Sequence, residues 1–389
     1  MEITIQKIIY PGKSLAVLNN KTILTDEGLP NEIVEAKIVK EKKNYIEAKT
    51  VKIIKPSPLR AVPRCGHYKS CGPYQYIDYK AQLSIKESQL KEIFPDMPIT
   101  ITPSPEIWGY RNKIRLSVIR KDKRASLAYH APETQDKFIE WGNECLLVSR
   151  NVNGLLVSVI EKINRDNLDS IEEIEIRESH TTKDTMATAY APGKIENIQG
   201  KPYIEETISG KTFRIGPGSF FQINIPMLDI VLKETRKYLS RDKKEIIADL
   251  YCGIGTFGIS LSDFAEEIIG IESDPANISF LKGNLKLNKI GNFRIYEGPC
   301  EKLFFSAQAR GIDTLIVDPP RKGLDNMLCQ QILLSPIKKI LYLSCNPATL
   351  SRDLKILNAS YTLKSLKSFD FFPHTPHIET LAFLEKKQL

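Results

Sequence analysis

After Gly216 short apolar runs alternate with helix-like segments. The runs are EIIADL (245–250), EIIGIE (267–272), NFRIY (292–296), DTLIVD (313–318) and KKILYLS (338–344). Apolar strands of this kind, separated by crossover segments, predict a mostly parallel sheet with helices on its faces. Parallel strands end at one edge, so residues just past these runs share a crevice even when far apart in sequence.

Those edge residues are chemically distinctive. EIIADL runs into YCGIGTFG, where Gly253, Gly255 and Gly258 let the backbone turn sharply and let a ligand approach closely. The second run ends at Glu272, where a carboxylate can bind both hydroxyls of a ribose; Ser273 or Asp274, followed by Pro275, then starts a helix. The fourth run ends at Asp318, and Pro319 and Pro320 form a rigid turn over the same edge. Amino-methyltransferases share this DPP turn but place an aromatic after it, where this chain has Arg321. Cys345 follows the fifth run, ahead of Asn346, Pro347 and a helix beginning near Ala348. Backbone N–H groups at a helix start lower a thiol pKa, so Cys345 is read as a thiolate nucleophile, with buried packing as the alternative. The glycines alone also fit a nicotinamide dinucleotide, and such an oxidoreductase stays open at this point.

The rest of the chain points to a polyanion. Lys and Arg number 55 against 47 Asp and Glu, a net charge of +8. Between Lys37 and Arg64 nine basic residues meet only Glu41 and Glu47, several alternating with apolar residues as in a strand. This predicts a basic β-barrel over residues 1–55, closed by the proline-bearing linker KPSPLRAVP. Residues 56–215 are read as a β-rich central domain (KIRLSVI, ASLAYH, EEIEIRE) and 216–389 as the α/β domain. Apolar runs are far shorter than the ~20 residues that cross a bilayer, and MEITIQKIIY has no signal-peptide layout. A cytoplasmic protein with no membrane association and no obligate protein partner is expected. In that compartment seven cysteines are not a disulfide framework, and Cys252, Cys300 and Cys329 read as packing residues.

Taken together, GSFFQIN, DLYCGIGTFG, IVDPPRKGL, LSCNPATLSRD and FFPHTPHIET, in this order behind a basic barrel, resemble the S-adenosylmethionine-dependent RNA 5-methyluridine methyltransferases over nearly the whole chain. The resemblance implies a Rossmann-like class I methyltransferase domain behind an OB-like TRAM barrel, and methylation of uracil carbon 5 in ribosomal or transfer RNA. It places Gln222, Tyr251, Glu272 and Asp318 at cofactor-binding positions, Cys345 at the nucleophile and Glu379 at the general base. One adenine-side polar position falls near Pro299, a departure from the family. Large-subunit (23S) ribosomal RNA is the favoured substrate. The alternatives are the transfer-RNA T-loop and a catalytically silent RNA-binding relative.

This chemistry explains the residue types. Carbon 5 of uracil is a poor nucleophile until a thiolate adds to carbon 6. A base must then remove the carbon 5 proton before the thiolate leaves. Reaching the base requires its extrusion from folded RNA, for which a basic barrel offers a holding surface. Phe220 and Phe221 are candidates either for stacking on it or for the core.

A second cysteine set lies in CGHYKSCGPYQY. Many family members hold a [4Fe–4S] cluster there with a third cysteine shortly after the second and a distant fourth. Here Cys65 and Cys71 are present, Tyr74 occupies the third position, and Cys145 resembles the fourth. Three readings remain open for the three cysteines: an iron–sulfur cluster, a zinc ion with a further ligand such as His67, or no metal.

Overall fold

The computed structural model describes residues 1–132, 137–142, 144–240, 242–308 and 310–388. The amino-terminal strands Glu2–Ile9, Lys13–Leu18, Lys21–Thr25, Ile33–Glu41 and Tyr45–Lys55 close into a barrel. Alternation works as expected: Ile3, Ile5, Ala16, Ile23, Val34, Ala36, Ile46 and Ala48 fill its interior. Lysines between them face solvent. Arg60 ties the barrel to the chain that follows, its Nε and Nη1 donating at 2.7 Å to Glu32 and Glu27. A second small core joins Ile8 and Leu29 of this region to Tyr74, Tyr76 and Ile77.

The strands Lys113–Lys121, Arg124–His130, Phe138–Glu140, Glu173–Glu178, Thr185–Ala191 and Lys194–Gly200 form an antiparallel sheet. The helix Arg150–Arg165 covers it, burying Val152, Leu156, Val159 and Ile163. The spacing of those four positions gives one apolar stripe, and Ser149 caps the helix by accepting from Val152 N at 3.1 Å.

The carboxyl-terminal half contains the expected parallel sheet. Its order is Phe293–Glu297, Ala265–Glu272, Glu245–Leu250, Thr314–Val317, Lys339–Ser344, Glu379–Lys386, Tyr361–Phe369 and Ile101–Thr102. The five runs picked from sequence are the first five of these strands, and all pair in parallel. Strand Glu379–Lys386 runs antiparallel to Lys339–Ser344, with Thr380 opposite Ser344. Its first residue, Glu379, therefore arrives at the edge where the parallel strands end. The helix Tyr79–Ile93 and strand Ile101–Thr102 also join this sheet's core through Leu90, Phe94, Ile99 and Ile101. Lys86 of that helix, fully buried, meets Asp370 at 2.5 Å.

Candidate active site

The carboxyl edge of the parallel sheet opens into a cavity of about 500 Å³ whose lining includes Gln222, Tyr251, Glu272, Asp318, Cys345 and Glu379. All six catalytic and cofactor positions named from sequence thus converge on one space. Its floor is the turn after Glu245–Leu250, where Tyr251 (φ 60°), Gly253 (φ 57°) and Gly255 (φ 93°) adopt left-handed backbone. A Cβ at Gly255 would meet Leu281 Cδ1 at 2.6 Å, so that position admits only glycine without rearrangement. Glu272 is held by three backbone donors: Gly253 N at 2.8 Å on one oxygen, Ser273 N at 2.8 Å and Asp274 N at 2.7 Å on the other. The next helix, Pro275–Leu287, is capped by Asp274.

Opposite this floor, Gln222 Nε2 donates to Asp318 at 3.3 Å. Burial pushes the Asp318 carboxyl up to about 7, against the pull of Gln222. Glu379 is buried, and its Oε2 has no hydrogen-bond partner among the described residues. Burial first, and then the Asp318 charge, hold its carboxyl well above the usual range, while Arg321 pulls it down. Arg321 Nη2 approaches His377 Nδ1 at 2.7 Å. Burial and the Arg321 charge push His377 down to about 3, so its ring is neutral and accepts this bond.

Cys345 is half-buried directly after Ser344. The expected lowering of its pKa is not found. Burial and the carboxylates of Glu379 and Asp318 push the thiol up to about 11, and Arg321 offsets only part of this. The helix Pro347–Leu357 does begin beside it, but the Asn346 side chain takes the first free amide, accepting from Ala348 N at 3.2 Å. The helix start therefore spends that donor on its own cap rather than on the sulfur.

Other sequence expectations divide. Phe221 is core, 5.8 Å from the Phe213 ring, whereas Phe220 is exposed at the cavity rim. Pro299 lies outside the cavity lining. Cys252, Cys300 and Cys329 are buried packing residues. Cys65 and Cys71 come together with His67 away from this cavity, and Cys145 lies beside Cys71. Sequence reasoning missed Tyr10, whose hydroxyl donates to Asn346 Oδ1 at 3.3 Å and brings the barrel to the cysteine's turn. The sequence also assigns no roles to Arg321 and His377, for which the basic residue after DPP and the histidine two before Glu379 are the available signals.

The site thus holds a thiol, a buried carboxyl with a free oxygen, and a glycine-floored recess with an oriented carboxylate. The family model described as tRNA (Uracil-5-)-methyltransferase matches residues 193–387. An uncharacterized RNA methyltransferase of Aquifex aeolicus is 30% identical, covering 100% of this chain and 99% of its own. The 23S rRNA (uracil(1939)-C(5))-methyltransferase RlmD of Vibrio cholerae is 28% identical, covering 99% of this chain and 96% of its own. The crystal structure of Pyrococcus abyssi tRNA (uracil-54, C5)-methyltransferase in complex with S-adenosyl-L-homocysteine superposes with a TM-score of 0.79 at 26% identity, covering 99% of this chain and 100% of that one. With the class I methyltransferase sheet and the thiol and carboxyl at its edge, this chain belongs to the tRNA (uracil-5-)-methyltransferase family and is an S-adenosylmethionine-dependent RNA uracil-C5 methyltransferase.

Proposed function

We propose that the protein makes 5-methyluridine in large-subunit ribosomal RNA, with Cys345 as nucleophile and Glu379 as general base. The observation that carries the roles is the meeting of Cys345 with a buried Glu379 whose Oε2 has no partner among the described residues, both lining one cavity. An unpaired buried carboxyl oxygen is costly unless a substrate proton is its intended partner.

The residues fit the cofactor. Gln222, Tyr251, Glu272 and Asp318 would hold S-adenosylmethionine, with the backbone amides at Gly253, Ser273 and Asp274 fixing the Glu272 carboxylate. When bound, the cofactor supplies an electrophilic methyl group on a sulfonium. The chain's own residues do the rest. Cys345, as thiolate, forms a bond to carbon 6 of the uracil, and the displaced electron pair makes an enolate whose carbon 5 is nucleophilic. After methyl transfer, Glu379 takes the proton from carbon 5; the electron pair reforms the 5,6 double bond and the Cys345 thiolate leaves. The raised proton affinity of Glu379 makes its carboxylate a stronger base than an exposed one. Arg321, whose charge pulls the Cys345 thiol down, favours the thiolate against the two carboxylates.

The chain is read as an RNA-binding barrel over 1–55, a central domain over 56–215 and the methyltransferase domain over 216–389. The ribosomal assignment is supported by the near full-length match to the Vibrio cholerae enzyme. The Pyrococcus abyssi likeness favours a second reading, a transfer-RNA uridine. Among the described residues no helix is long and apolar enough to cross a membrane, and we place the protein in the cytoplasm with its RNA. Mapping 5-methyluridine in ribosomal and transfer RNA from a strain lacking the gene separates the substrates. Loss at one ribosomal uridine is expected; loss confined to transfer RNA would overturn the ribosomal assignment.

A further inference from the structure

The turn at residues 65–75 gathers thiols and an imidazole that the methyl transfer does not use. Donor atoms of Cys65, His67 and Cys71 all lie within 4.8 Å of one another. His67 Nδ1 is 3.2 Å from Cys71 Sγ and 3.7 Å from Cys65 Sγ. Cys145 lies outside this group, with its thiol beside that of Cys71.

The spacing discriminates between metal groups. Donors sharing one tetrahedral zinc at Zn–S of about 2.3 Å and Zn–N of about 2.0–2.1 Å stand roughly 3.5–3.8 Å apart. In a four-iron cube each thiolate binds a different iron, so the thiolates stand further apart than donors sharing one ion. A cube also calls for a fourth thiolate. Tyr74 has none to offer: it is 1% exposed, accepts from Gln89 Nε2 at 3.3 Å, and packs with Ile8 and Leu29. The residues do not fit a four-cysteine cluster.

They do fit a single ion. His67 Nε2 stands 2.7 Å from the carbonyl oxygen of Glu144, which can only accept, so Nε2 carries the proton and Nδ1 presents a bare lone pair to the sulfurs. Gln75 Nε2 donates to Cys65 Sγ at 3.3 Å and stands 4.0 Å from Cys71 Sγ, a second layer suited to thiolates. Arg111 Nη2 donates to the Cys71 carbonyl at 3.0 Å. Its guanidinium offsets the single negative charge that three thiolates and a neutral imidazole leave on a divalent ion.

We propose that Cys65, His67 and Cys71 hold one zinc ion and that Cys145, beside Cys71, closes on it as the fourth ligand of a tetrahedral site. Three thiol protons leave as the ion enters. With four protein ligands the coordination is closed, so the ion is structural rather than catalytic. What it stabilises is visible: Tyr74 N donates to the His374 carbonyl at 2.8 Å, and Tyr110, bonded to Arg111 Nε at 3.2 Å, donates its hydroxyl to the Pro373 carbonyl at 3.1 Å. The turn thus props the segment that leads to His377 and Glu379.

The test is elemental analysis of the full-length protein purified without a polyhistidine tag or chelator, with acid-labile sulfide and the visible spectrum measured on the same sample. One zinc per chain, no sulfide and no colour are expected. Cobalt exchanged into the site should give the intense absorption of tetrahedral cobalt thiolate. In a competition with a chromogenic chelator, His67→Ala should release zinc at least tenfold more readily. Iron and sulfide in a brown protein would overturn the proposal. So would a chain that neither contains zinc nor binds added zinc chloride stoichiometrically, or a His67→Ala protein with unchanged affinity. If His67→Ala does not fold, the metal content and cobalt spectrum of the natural protein decide.

Discussion

Replacing Lys86 with methionine tests how the segment bearing Glu379 is anchored. Lys86 and Asp370 are both 0% exposed and meet at 2.5 Å. Asp370 otherwise accepts from the Tyr79 hydroxyl at 2.9 Å, and Lys86 Nζ also donates to the Phe372 carbonyl at 3.3 Å. Burial lowers the Lys86 pKa despite the facing carboxylate, so desolvation outweighs the attraction. Removing one partner leaves the other charge buried, costing about 3–5 kcal/mol, whereas removing both leaves no such charge. Lys86→Met and Asp370→Asn should each lose that much. The double variant should cost no more than the worse single, a coupling of at least about 3 kcal/mol. Urea unfolding of the four proteins at neutral pH measures this. A Lys86→Met protein within about 1 kcal/mol of the parent, or losses that simply add, would refute the reasoning.

Exposed Lys37, Lys40 and Lys52 lie on the barrel; changing all three to alanine should flatten the dependence of log K for RNA on log salt by roughly 2–3, at 0.7–0.9 per lost phosphate contact, and leave cofactor affinity unchanged. An unaltered slope would remove the barrel from the RNA interface. With the Cys345 thiol pushed up to about 11, its alkylation by iodoacetamide, followed by mass spectrometry, should climb about tenfold per pH unit from neutrality into the alkaline range. Glu379→Gln should move that profile to lower pH, and a plateau near neutrality would contradict both. Burial raises Asp249 to about 7, so the folded chain keeps a proton that the unfolded chain has released. Its stabilising contribution is complete at acid pH and is lost as pH rises towards 7, at up to about 1.4 kcal/mol per unit. Asp249→Asn should make urea stability less dependent on pH across that window, and an unchanged dependence would place the proton elsewhere.

What sequence could reveal followed from where the chemistry sits. The glycine turn, Glu272, Asp318 and Cys345 each stand at the end of an apolar run, so strand pattern and motif locate them together. Glu379 came only through family resemblance, because its position depends on a strand that reverses direction. The helix Tyr79–Ile93 is not legible in the sequence because its buried face carries Gln82, Lys86 and Gln89. Their partners, among them His374, Asp370 and Tyr74, lie elsewhere in the chain, and polar residues on a core face erase the apolar period. The Cys345 pKa is not legible locally for a related reason. A helix start is local and legible, but the opposing carboxylates belong to other strands. Tyr10 had no local signal, being brought to Asn346 only by the packing of the barrel on the catalytic half.

Trapping shows most plainly whether Cys345 adds to uracil and Glu379 completes the reaction. Glu379→Gln is incubated with substrate RNA and S-adenosylmethionine and run on a denaturing gel. Addition and methyl transfer precede proton loss, so this protein should accumulate as a methylated RNA adduct attached through Cys345, while Cys345→Ala binds RNA without forming one. Free turnover by Glu379→Gln, or an adduct or product formed by Cys345→Ala, would contradict these roles.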